Sequence, residues 1–322
     1  MENRTSLLTI CIPTYNRGQL LEQSIQKMIP VCKEHNIQIC ISDNASTDDT
    51  NVIMAGYLEA YPFIHYYRQK ENIGSDDNFE FVLKMAQTKY RWLMSDTTFV
   101  TDIKDLIDDL IAKDFDGFVV NGDPKRAQHL PKVKKFYHES ISLMDEVGWH
   151  MTWISCMIYN EKLIDSMNFK RYKNSSFNQT ALMFETTANR YAELGFNPGI
   201  VVGNLPIRKE SGWLYHEFDV IYRQFYLMIM SLPLYYPYEI KKKCIIDSVK
   251  YPGILSKYWH VVRRIEGKWS FRDVQRNSFF IKQAQGDYYF YSIVGLCSPR
   301  LLKIFLPILR HLRLFFFRVF KK

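Results

Sequence analysis

The chain has 322 residues, of which 47% are hydrophobic and 24% are charged, which excludes extensive disorder and allows a substantial core. The net charge of +8 is concentrated at one end, because no acidic residue follows Asp287 whereas seven Lys and Arg residues do. Removing these seven leaves 35 basic residues against 34 acidic ones, and a body so close to neutral argues against nucleic-acid binding.

Strand and helix patterns alternate along the first third of the chain. Apolar, β-prone runs predict strands at 7–12, 37–41, 63–67, 90–94 and 118–121. Helical spacing of apolar residues predicts helices at 19–31 and 78–86, and Thr47 is predicted to cap a further helix. This alternation is typical of a mostly parallel α/β sheet flanked by helices.

Polar residues follow three of these predicted strands. Thr14 and Arg17 come after the first, Asp43 after the second and Asp96 after the fourth. Ligands of parallel α/β sheets bind at the carboxyl ends of the strands, so these side chains are expected to converge on one cleft. The alternative is that they form ordinary turns, which favour the same residue types.

The end of the chain has the pattern of an amphipathic basic helix. Its large apolar residues fall on one helical face and its basic residues on the other, the apolar set being Leu301, Phe305, Ile308, Leu309, Leu312, Phe315, Phe316, Val319 and Phe320. Such a helix is typical of an anionic membrane surface. The alternative is a helix packed on the protein with a solvated basic face, and Pro307 argues against one continuous helix.

Other features indicate a cytoplasmic protein at the membrane surface. The six cysteines contain no CxxC pair and are expected to be reduced. The first residues lack the features of a signal peptide, and no apolar run is long enough to span a bilayer.

Four motifs carry a resemblance to a known family. They are IPTYNR at 12–17, SDNASTDDT at 42–50, NIG at 72–74 followed by Asn78, and WLMSD at 92–96. Their order and spacing resemble the successive motifs of family 2 glycosyltransferases with the GT-A fold, most of all those of bacterial enzymes that build surface polysaccharides such as O-antigen and capsule. The signatures of dinucleotide, P-loop and zincin sites are absent from the sequence.

The resemblance implies an inverting transfer, of the hexosyltransferase type, from a nucleotide-diphosphate sugar to an acceptor hydroxyl. It assigns Asp43 a hydrogen bond to the nucleotide base, and it predicts that a side chain at position 74 would block close approach of the nucleotide. The donor-binding residues that it implies are Pro13, Thr14, Tyr15, Arg17, Asp43, Asn72, Gly74 and Asp96.

The family usually follows its fourth strand with an acidic cluster that holds a divalent metal. Here Asp96 takes the first place, whereas Thr97 and Thr98 fill the places of the later carboxylates. Mg²⁺ and Mn²⁺ prefer carboxylate oxygens, so we expect metal dependence to be weak or absent. The cations that could neutralise the diphosphate instead are Arg17, Lys70, Arg208, Lys209 and His216.

The resemblance also implies a catalytic base and an acceptor site. Relatives place the base at a helix start some ninety residues past the acidic cluster, which points to Glu185, with Asp145 and Glu146 as the other candidates. A plain surface role for Glu185 is the alternative. Three residues are predicted to stack on the acceptor sugar, with core packing as the alternative: Trp149, His150 and Trp153.

These observations predict three parts. Residues 1–125 form the nucleotide-sugar-binding GT-A half, 126–225 bind the acceptor, and 226–322 form a helical region ending in the basic membrane-surface segment, where a lipid-linked glycan is the expected acceptor. The second hypothesis is a non-catalytic GT-A-like protein that binds a nucleotide sugar or a partner, since the later carboxylates are missing. A nucleotidyltransferase is disfavoured, because no basic glycine-rich loop follows the first strand.

Overall fold

The computed structural model describes residues 6–122, 124–206, 216–251, 257–304 and 306–307. Two compact units divide these residues. The first takes in the described residues up to 206 together with Leu232–Ile240, and the second takes in 216–231 and the described residues from Lys241 onward.

The first unit is built on an eight-stranded sheet with the order β3-β2-β1-β4-β8-β6-β9-β7. Its strands are β1 (Leu8–Thr14), β2 (Gln38–Asp43), β3 (Ile64–Arg68), β4 (Tyr90–Leu93), β6 (Gly117–Asn121), β7 (Lys135–Tyr137), β8 (Met157–Asn160) and β9 (Leu194–Val201). Neighbours among β3, β2, β1 and β4 are parallel, as are β6 and β9, while β8 is antiparallel to both β4 and β6, and β7 to β9. A separate two-stranded ribbon pairs β5 (Thr98–Phe99) with β10 (Gly203–Asn204).

Helices accompany this sheet along the chain. They are α1 (Gly18–His35), α2 (Thr50–Ala60), α3 (Ser75–Met85), α4 (Lys104–Ala112), α5 (Ser140–Val147), α6 (Glu161–Ser166) and α7 (Asn178–Thr187). The apolar residues of α1 recur at helical spacing, and Leu21, Ile25 and Met28 are all buried. Every residue of β1 is buried, as a strand covered on both faces requires.

The predicted strands and helices of the first 121 residues are confirmed in type and order. The predicted cap at Thr47 is wrong, because α2 begins at Thr50 and the carboxylate of Asp48 accepts the Thr50 N–H at 3.1 Å. Strands β7, β8 and β9 were not predicted, and they extend the same sheet past residue 125. The division by function at residues 125 and 225 stays a prediction.

The second unit confirms the predicted helical C-terminal region. Its elements are a π-helical turn (Asp219–Gln224), α8 (Phe225–Ser231), the part of α9 (Tyr238–Lys250) from Lys241 onward, α10 (Lys257–Ile265), α11 (Phe271–Arg276), α12 (Ser278–Gln283) and α13 (Tyr288–Leu296). Phe218 lies at the centre of its core, with ring contacts to Tyr222, Trp269 and Tyr291.

Only the first part of the predicted basic tail is described, as helical residues 299–304 and 306–307. The rest of that prediction lies outside the described residues. Within the described part of the chain, no helix is both long and apolar enough to cross a bilayer.

Candidate functional site

The carboxyl ends of β1, β2 and β4 lie at one edge of the sheet. Thr14 is in register with Asp43 across the β1–β2 pair, and Cys11 is in register with Leu93 across the β1–β4 pair. The Thr14 hydroxyl donates a 3.0 Å hydrogen bond to Oδ2 of Asp96, which follows β4. The structure therefore brings residues from three strand ends together, as the topology predicts.

Arg17 completes this contact from the start of α1. Its Nη1 donates to Oδ1 of Asp96 at 3.1 Å, and the Ser95 hydroxyl donates to the same oxygen at 3.4 Å, so both oxygens of this carboxylate are engaged. Asp96 is only 5% exposed. Burial raises the pKa of Asp96, although Arg17 and Thr14 act in the opposite direction.

The guanidinium of Arg17 differs from its partner in access to solvent. The Arg17 side chain is 31% exposed, and within the described residues its guanidinium makes no hydrogen bond other than the one to Asp96. A guanidinium carries five N–H donors, so Arg17 retains several for an anion. Arg17 is therefore a cation that Asp96 anchors on one side and that is open to solvent on another.

Asp43 organises the loop that follows β2. Its Oδ1 accepts from the backbone N–H and the hydroxyl of Ser46 at 2.9 and 2.5 Å, and its Oδ2 accepts from the Tyr66 hydroxyl at 2.6 Å. Burial, together with this bond, raises the pKa of Tyr66. Asp43 is fully buried and engaged at both oxygens, and its hydrogen bond to a nucleotide base stays a prediction.

The loop at 72–74 is tied to the same edge by Asn44, which sequence reasoning did not assign to the site. The Asn44 amide donates to Oδ1 of Asn72 at 3.1 Å and to the carbonyl of Gly74 at 3.2 Å, while its Oδ1 accepts the Ile73 N–H at 2.8 Å. Gly74 has a φ of +87°, and a Cβ there would meet nothing within 4 Å. Backbone conformation, rather than lack of space, thus requires glycine at this position.

The remaining donor-binding predictions lie in the loop after β1. Pro13 is buried opposite Ser42, whereas the ring of Tyr15 is 45% exposed. Asn16 accepts the Thr47 N–H at 2.6 Å, which joins this loop to the one after β2. Gly18 lies so close to α2 that a Cβ would stand 2.9 Å from Cα of Thr50. The two loops therefore form one connected wall.

The two threonines after Asp96 are used within the protein. Thr98 Oγ1 donates to the Ser95 carbonyl at 2.8 Å and lies 2.9 Å from the Ser155 hydroxyl, while Thr97 Oγ1 lies 3.0 Å from the Ser95 hydroxyl. Thr97 and Thr98 are 5% and 3% exposed. Ser155 also accepts the Ser95 N–H, and no sequence pattern links it to a residue 60 positions earlier.

These residues do not fit a carboxylate-bound divalent metal. Both oxygens of Asp96 are engaged, the threonine hydroxyls are engaged, and the described residues contain no cluster of three His, Cys, Asp or Glu side chains suited to a metal. Of the other proposed cations, Lys70 and His216 are exposed, and Arg208 and Lys209 lie outside the described residues.

Glu185 is not at a helix start, so that expectation is wrong. Helix α7 begins at Asn178, and Glu185 lies in its last turn, where its Oε2 is 2.9 Å from Nε of Arg171. The first two residues of the helix are amides, Asn178 and Gln179, and both are buried.

Glu185 lies at the amino ends of the parallel strands, opposite to the carboxyl ends where Asp96 lies. Together with Asp116 and Lys162 it lines an open cavity of about 650 Å³. Asp116 directly precedes β6. Lys162 follows β8, and the last residue of β8, Asn160, is in register with Tyr90 at the start of β4. The structure thus separates Glu185 from Asp96, which follows the end of β4.

Two of the three predicted sugar-stacking residues belong to the core. Trp149 and His150 are 1% and 0% exposed. The indole of Trp149 donates to the Glu146 carbonyl at 3.1 Å, and Nε2 of His150 accepts the Gly122 N–H at 3.0 Å. Neither ring offers a face to a ligand in this structure, whereas Trp153 is half-buried and its role stays a prediction.

Of the two other candidate bases on α5, Glu146 also lies away from Asp96, and the role of Asp145 stays a prediction. Glu146 binds the ammonium of Lys135 at 2.7 Å and the hydroxyl of Tyr137 at 3.0 Å, both on β7 at the end of the sheet order. A structural role accounts for Glu146.

Comparison with known proteins identifies the class of this protein. Residues 9–167, which contain the strand-end residues, match the family model for glycosyl transferase family 2, and this domain of the chain is a member of that family. The prediction of the family is confirmed.

Two relatives match parts of the sequence. The abequosyltransferase RfbV of Salmonella typhimurium is 37% identical over 110 residues, which is 34% of this chain and 30% of the relative. An uncharacterized glycosyltransferase of Mycoplasma pneumoniae is 24% identical over 184 residues, which is 49% of this chain and 62% of the relative. In both cases the match spans less than two thirds of the relative.

Solved structures share the fold. A mannosyltransferase from Pyrobaculum calidifontis in complex with GDP-Man and Mn²⁺ superposes with a TM-score of 0.54 at 12% identity, covering 94% of this chain and 86% of its own. Residues 1–349 of S. aureus TarS in complex with UDP-GlcNAc give a TM-score of 0.56 at 12% identity, covering 90% of each chain. The prediction of a GT-A fold is confirmed.

Proposed function

We propose that this protein is an inverting glycosyltransferase that transfers a sugar from a nucleotide-diphosphate donor to a hydroxyl of a lipid-linked glycan. The pathway would be synthesis of a bacterial surface polysaccharide such as O-antigen or capsule. The observation that carries the proposal is the Arg17–Asp96 pair, which lies at the ligand-binding edge of a family 2 glycosyltransferase domain.

The donor class is supported by the two fold relatives, whose complexes contain GDP-Man and UDP-GlcNAc. In the proposed complex the nucleotide lies against the wall made by the loops after β1 and β2, with the exposed ring of Tyr15 beside it. Asn72 and Gly74 line the same space, since Asn44 ties their loop to this wall through hydrogen bonds.

Arg17 is the proposed partner of the diphosphate. In the transfer, the acceptor oxygen bonds to the anomeric carbon and its hydroxyl proton passes to water, while the bond from that carbon to the diphosphate breaks and the diphosphate leaves with the electron pair. Its growing negative charge needs a fixed positive group. Arg17 fits this role, because Asp96, which Thr14 also contacts, holds one side of its guanidinium. The other N–H donors of the guanidinium are open to solvent.

This assignment makes the reaction independent of a divalent metal. The carboxylate of Asp96 would act through Arg17 as a positioning group and not as a metal ligand. Glu185 takes no part in the proposed mechanism, because its ion pair with Arg171 and its cavity lie at the amino end of β6.

The acceptor is proposed to be membrane-bound because the positive charge of the chain is concentrated after Asp287. Attachment to the inner face of the cytoplasmic membrane would deliver a lipid-linked glycan to the enzyme. Fractionation of the full chain and of a variant with its tail Lys and Arg residues replaced by Gln tests this part, and identical soluble fractions would contradict it.

The first experiment is transfer from a panel of nucleotide sugars in the presence of membrane lipid extract, with Mn²⁺, with Mg²⁺ and with EDTA. We expect turnover in EDTA, its loss by about 100-fold in Arg17→Gln and partial recovery in Arg17→Lys. Glu185→Gln is the matched control and should retain turnover. Activity abolished by EDTA, or by Glu185→Gln alone, contradicts the mechanism.

A second candidate is a non-catalytic GT-A protein that binds a nucleotide sugar. It is favoured by the engagement of Thr97 and Thr98 in internal hydrogen bonds where the family has carboxylates. Saturable binding of a nucleotide sugar without turnover of any donor would select this candidate.

A further inference from the structure

One face of α13 in the second unit is apolar and uncovered. Tyr289, Ile293 and Leu296 are 78%, 64% and 69% exposed. Their spacing of four and three residues places them on one side of the helix. The opposite side is buried through Tyr291 and Val294.

Polar contacts at both ends and in the middle fix this orientation. Asp287 caps the helix by accepting the Phe290 N–H at 3.0 Å, and the Tyr222 hydroxyl donates to that of Tyr291 at 2.9 Å. At the carboxyl end, Nη2 of Arg264 donates to the carbonyls of Gly295 and Cys297 at 3.1 and 3.3 Å. Rotating the apolar face inward would break all of these bonds, so the exposure is built into the unit.

The chain continues from α13 into a second exposed apolar and basic stretch. In the helical residues 299–304, Leu301 and Ile304 are 54% and 68% exposed, and the neighbouring Arg300 and Lys303 are exposed as well. Single exposed apolar residues are common on soluble proteins. Five within sixteen residues, in a segment with no carboxylate, form a patch that needs a partner.

We propose that Tyr289, Ile293, Leu296, Leu301 and Ile304, here called the α13 patch, insert into the headgroup region of an anionic lipid bilayer. Charge selects this partner, because Arg300 and Lys303 accompany the patch and every later charged side chain is basic. A second copy of the chain would bring the same positive charges against each other. The proposal deepens the proposed function by adding a defined docking surface to the basic tail.

The test is flotation of the full-length protein with vesicles of phosphatidylcholine alone and with roughly one third phosphatidylglycerol. We expect the wild type to bind the anionic vesicles only. Vesicle binding should fall by at least about tenfold in Ile293→Asp and in Leu296→Asp, since an aliphatic side chain that would be buried in the bilayer is replaced by a charge. The control is Ile111→Asp on α4, where the isoleucine is 68% exposed against 64% for Ile293, and this variant should float like the wild type. Circular dichroism of the three variants verifies their folding.

Three results would overturn the proposal. The first is equal flotation of Ile293→Asp and Ile111→Asp, which would leave the basic tail as the whole attachment. The second is equal binding to neutral and anionic vesicles. The third is a wild-type dimer in sedimentation velocity that Ile293→Asp dissociates, because the patch would then be a contact between copies of the chain.

Failure of this proposal and failure of the proposed function are distinguishable. Transfer to a detergent-solubilised acceptor should be the same for Ile293→Asp and for the wild type, because the patch takes no part in the chemistry. If the function is wrong and the patch is right, no variant shows transfer, yet the vesicle results stand.

Discussion

Each unit of the protein contains an arginine held by a buried carboxylate, and the two pairs differ in what surrounds the guanidinium. In the first unit, Arg17 meets Asp96 at 3.1 Å and is 31% exposed. In the second, Nε of Arg263 lies 2.6 Å from Oε2 of Glu217, and the arginine side chain is 7% exposed. His260 adds a 3.1 Å contact from Nδ1 to the other carboxylate oxygen.

The surroundings explain the different uses of the two pairs. His260 has ring contacts with Phe218, Trp269 and Tyr291, so aromatic side chains enclose the second pair. Charges buried in this way stabilise a fold only as a matched set. The pair in the first unit leaves guanidinium donors exposed to solvent at the strand-end cleft. Of these two pairs, only the partly exposed one leaves guanidinium donors for a ligand.

The largest expected effect is on the enclosed pair. Glu217→Ala should lower the free energy of unfolding of the second unit by about 3–5 kcal/mol, because the buried guanidinium of Arg263 loses this carboxylate. Chemical denaturation followed by circular dichroism measures it. The control is Glu266→Ala, an exposed carboxylate that directly follows α10 in the same unit, which should cost less than about 1 kcal/mol. Equal effects would erase the distinction between the two pairs.

At the open pair the loss should appear in activity instead. Asp96→Asn should reduce transfer by about 100-fold, because Arg17 is no longer held at the diphosphate. The free energy of unfolding should change by less than about 2 kcal/mol, since the partly exposed guanidinium can be hydrated. Asp49→Asn, an exposed carboxylate at the start of α2, should leave both quantities unchanged. A stable and fully active Asp96→Asn would refute the assigned role.

Within the first unit, the backbone conformation of Gly74 can be compared with that of Gly56 in α2. Gly74→Ala should destabilise by about 1–3 kcal/mol, since its φ of +87° strains any residue with a side chain. Gly56→Ala, inside α2, should stabilise by up to about 1 kcal/mol. A Cβ meets nothing within 4 Å at either glycine, so the difference in denaturation midpoint isolates the backbone. Matching effects at both positions would show that the loop is not held in this conformation.

The smallest effect is on pH dependence. Burial raises the pKa of Asp96, so the folded state takes up this proton before the unfolded chain does as the pH falls. Ionised Asp96 therefore costs stability at neutral pH, and the cost is relieved as the pH falls through the raised pKa towards the ordinary one. Transfer should decline in the same window, because a protonated Asp96 releases Arg17.

A surface carboxylate provides the opposite case. The hydrogen bond from Lys257 lowers the pKa of Asp287, so its stabilising contribution is lost as the pH falls below the ordinary value through the lowered one. Activity is therefore expected to decrease at a higher pH than stability does. Parallel pH profiles of transfer and of denaturation midpoint measure this, and coincident profiles would contradict it.

Sequence alone was sufficient for β1 to β4, β6 and α1 to α3 because their signals are local, whereas β5 and α4 were not predicted. A buried strand is a continuous apolar run and a surface helix repeats its apolar residues every three or four positions, so β1 to β4 and α1 are legible without a structure. Strands β7, β8 and β9 were not predicted from the sequence. β7 and β8 have three and four residues, and β9 contains Gly, Asn and Pro, so no local pattern is long enough to identify them.

The chemistry of the site was decided by contacts across long sequence separations. The sequence shows that Thr97 and Thr98 replace carboxylates, but only the insertion of β8 between β4 and β6 brings Ser155 to Thr98 and engages the hydroxyls. The same packing buries Trp149 and His150, and the start of α7 at Asn178 sends Glu185 to the amino edge of the sheet. Local pattern determines which strands and helices form, whereas packing between distant segments determines which side chains remain free to act.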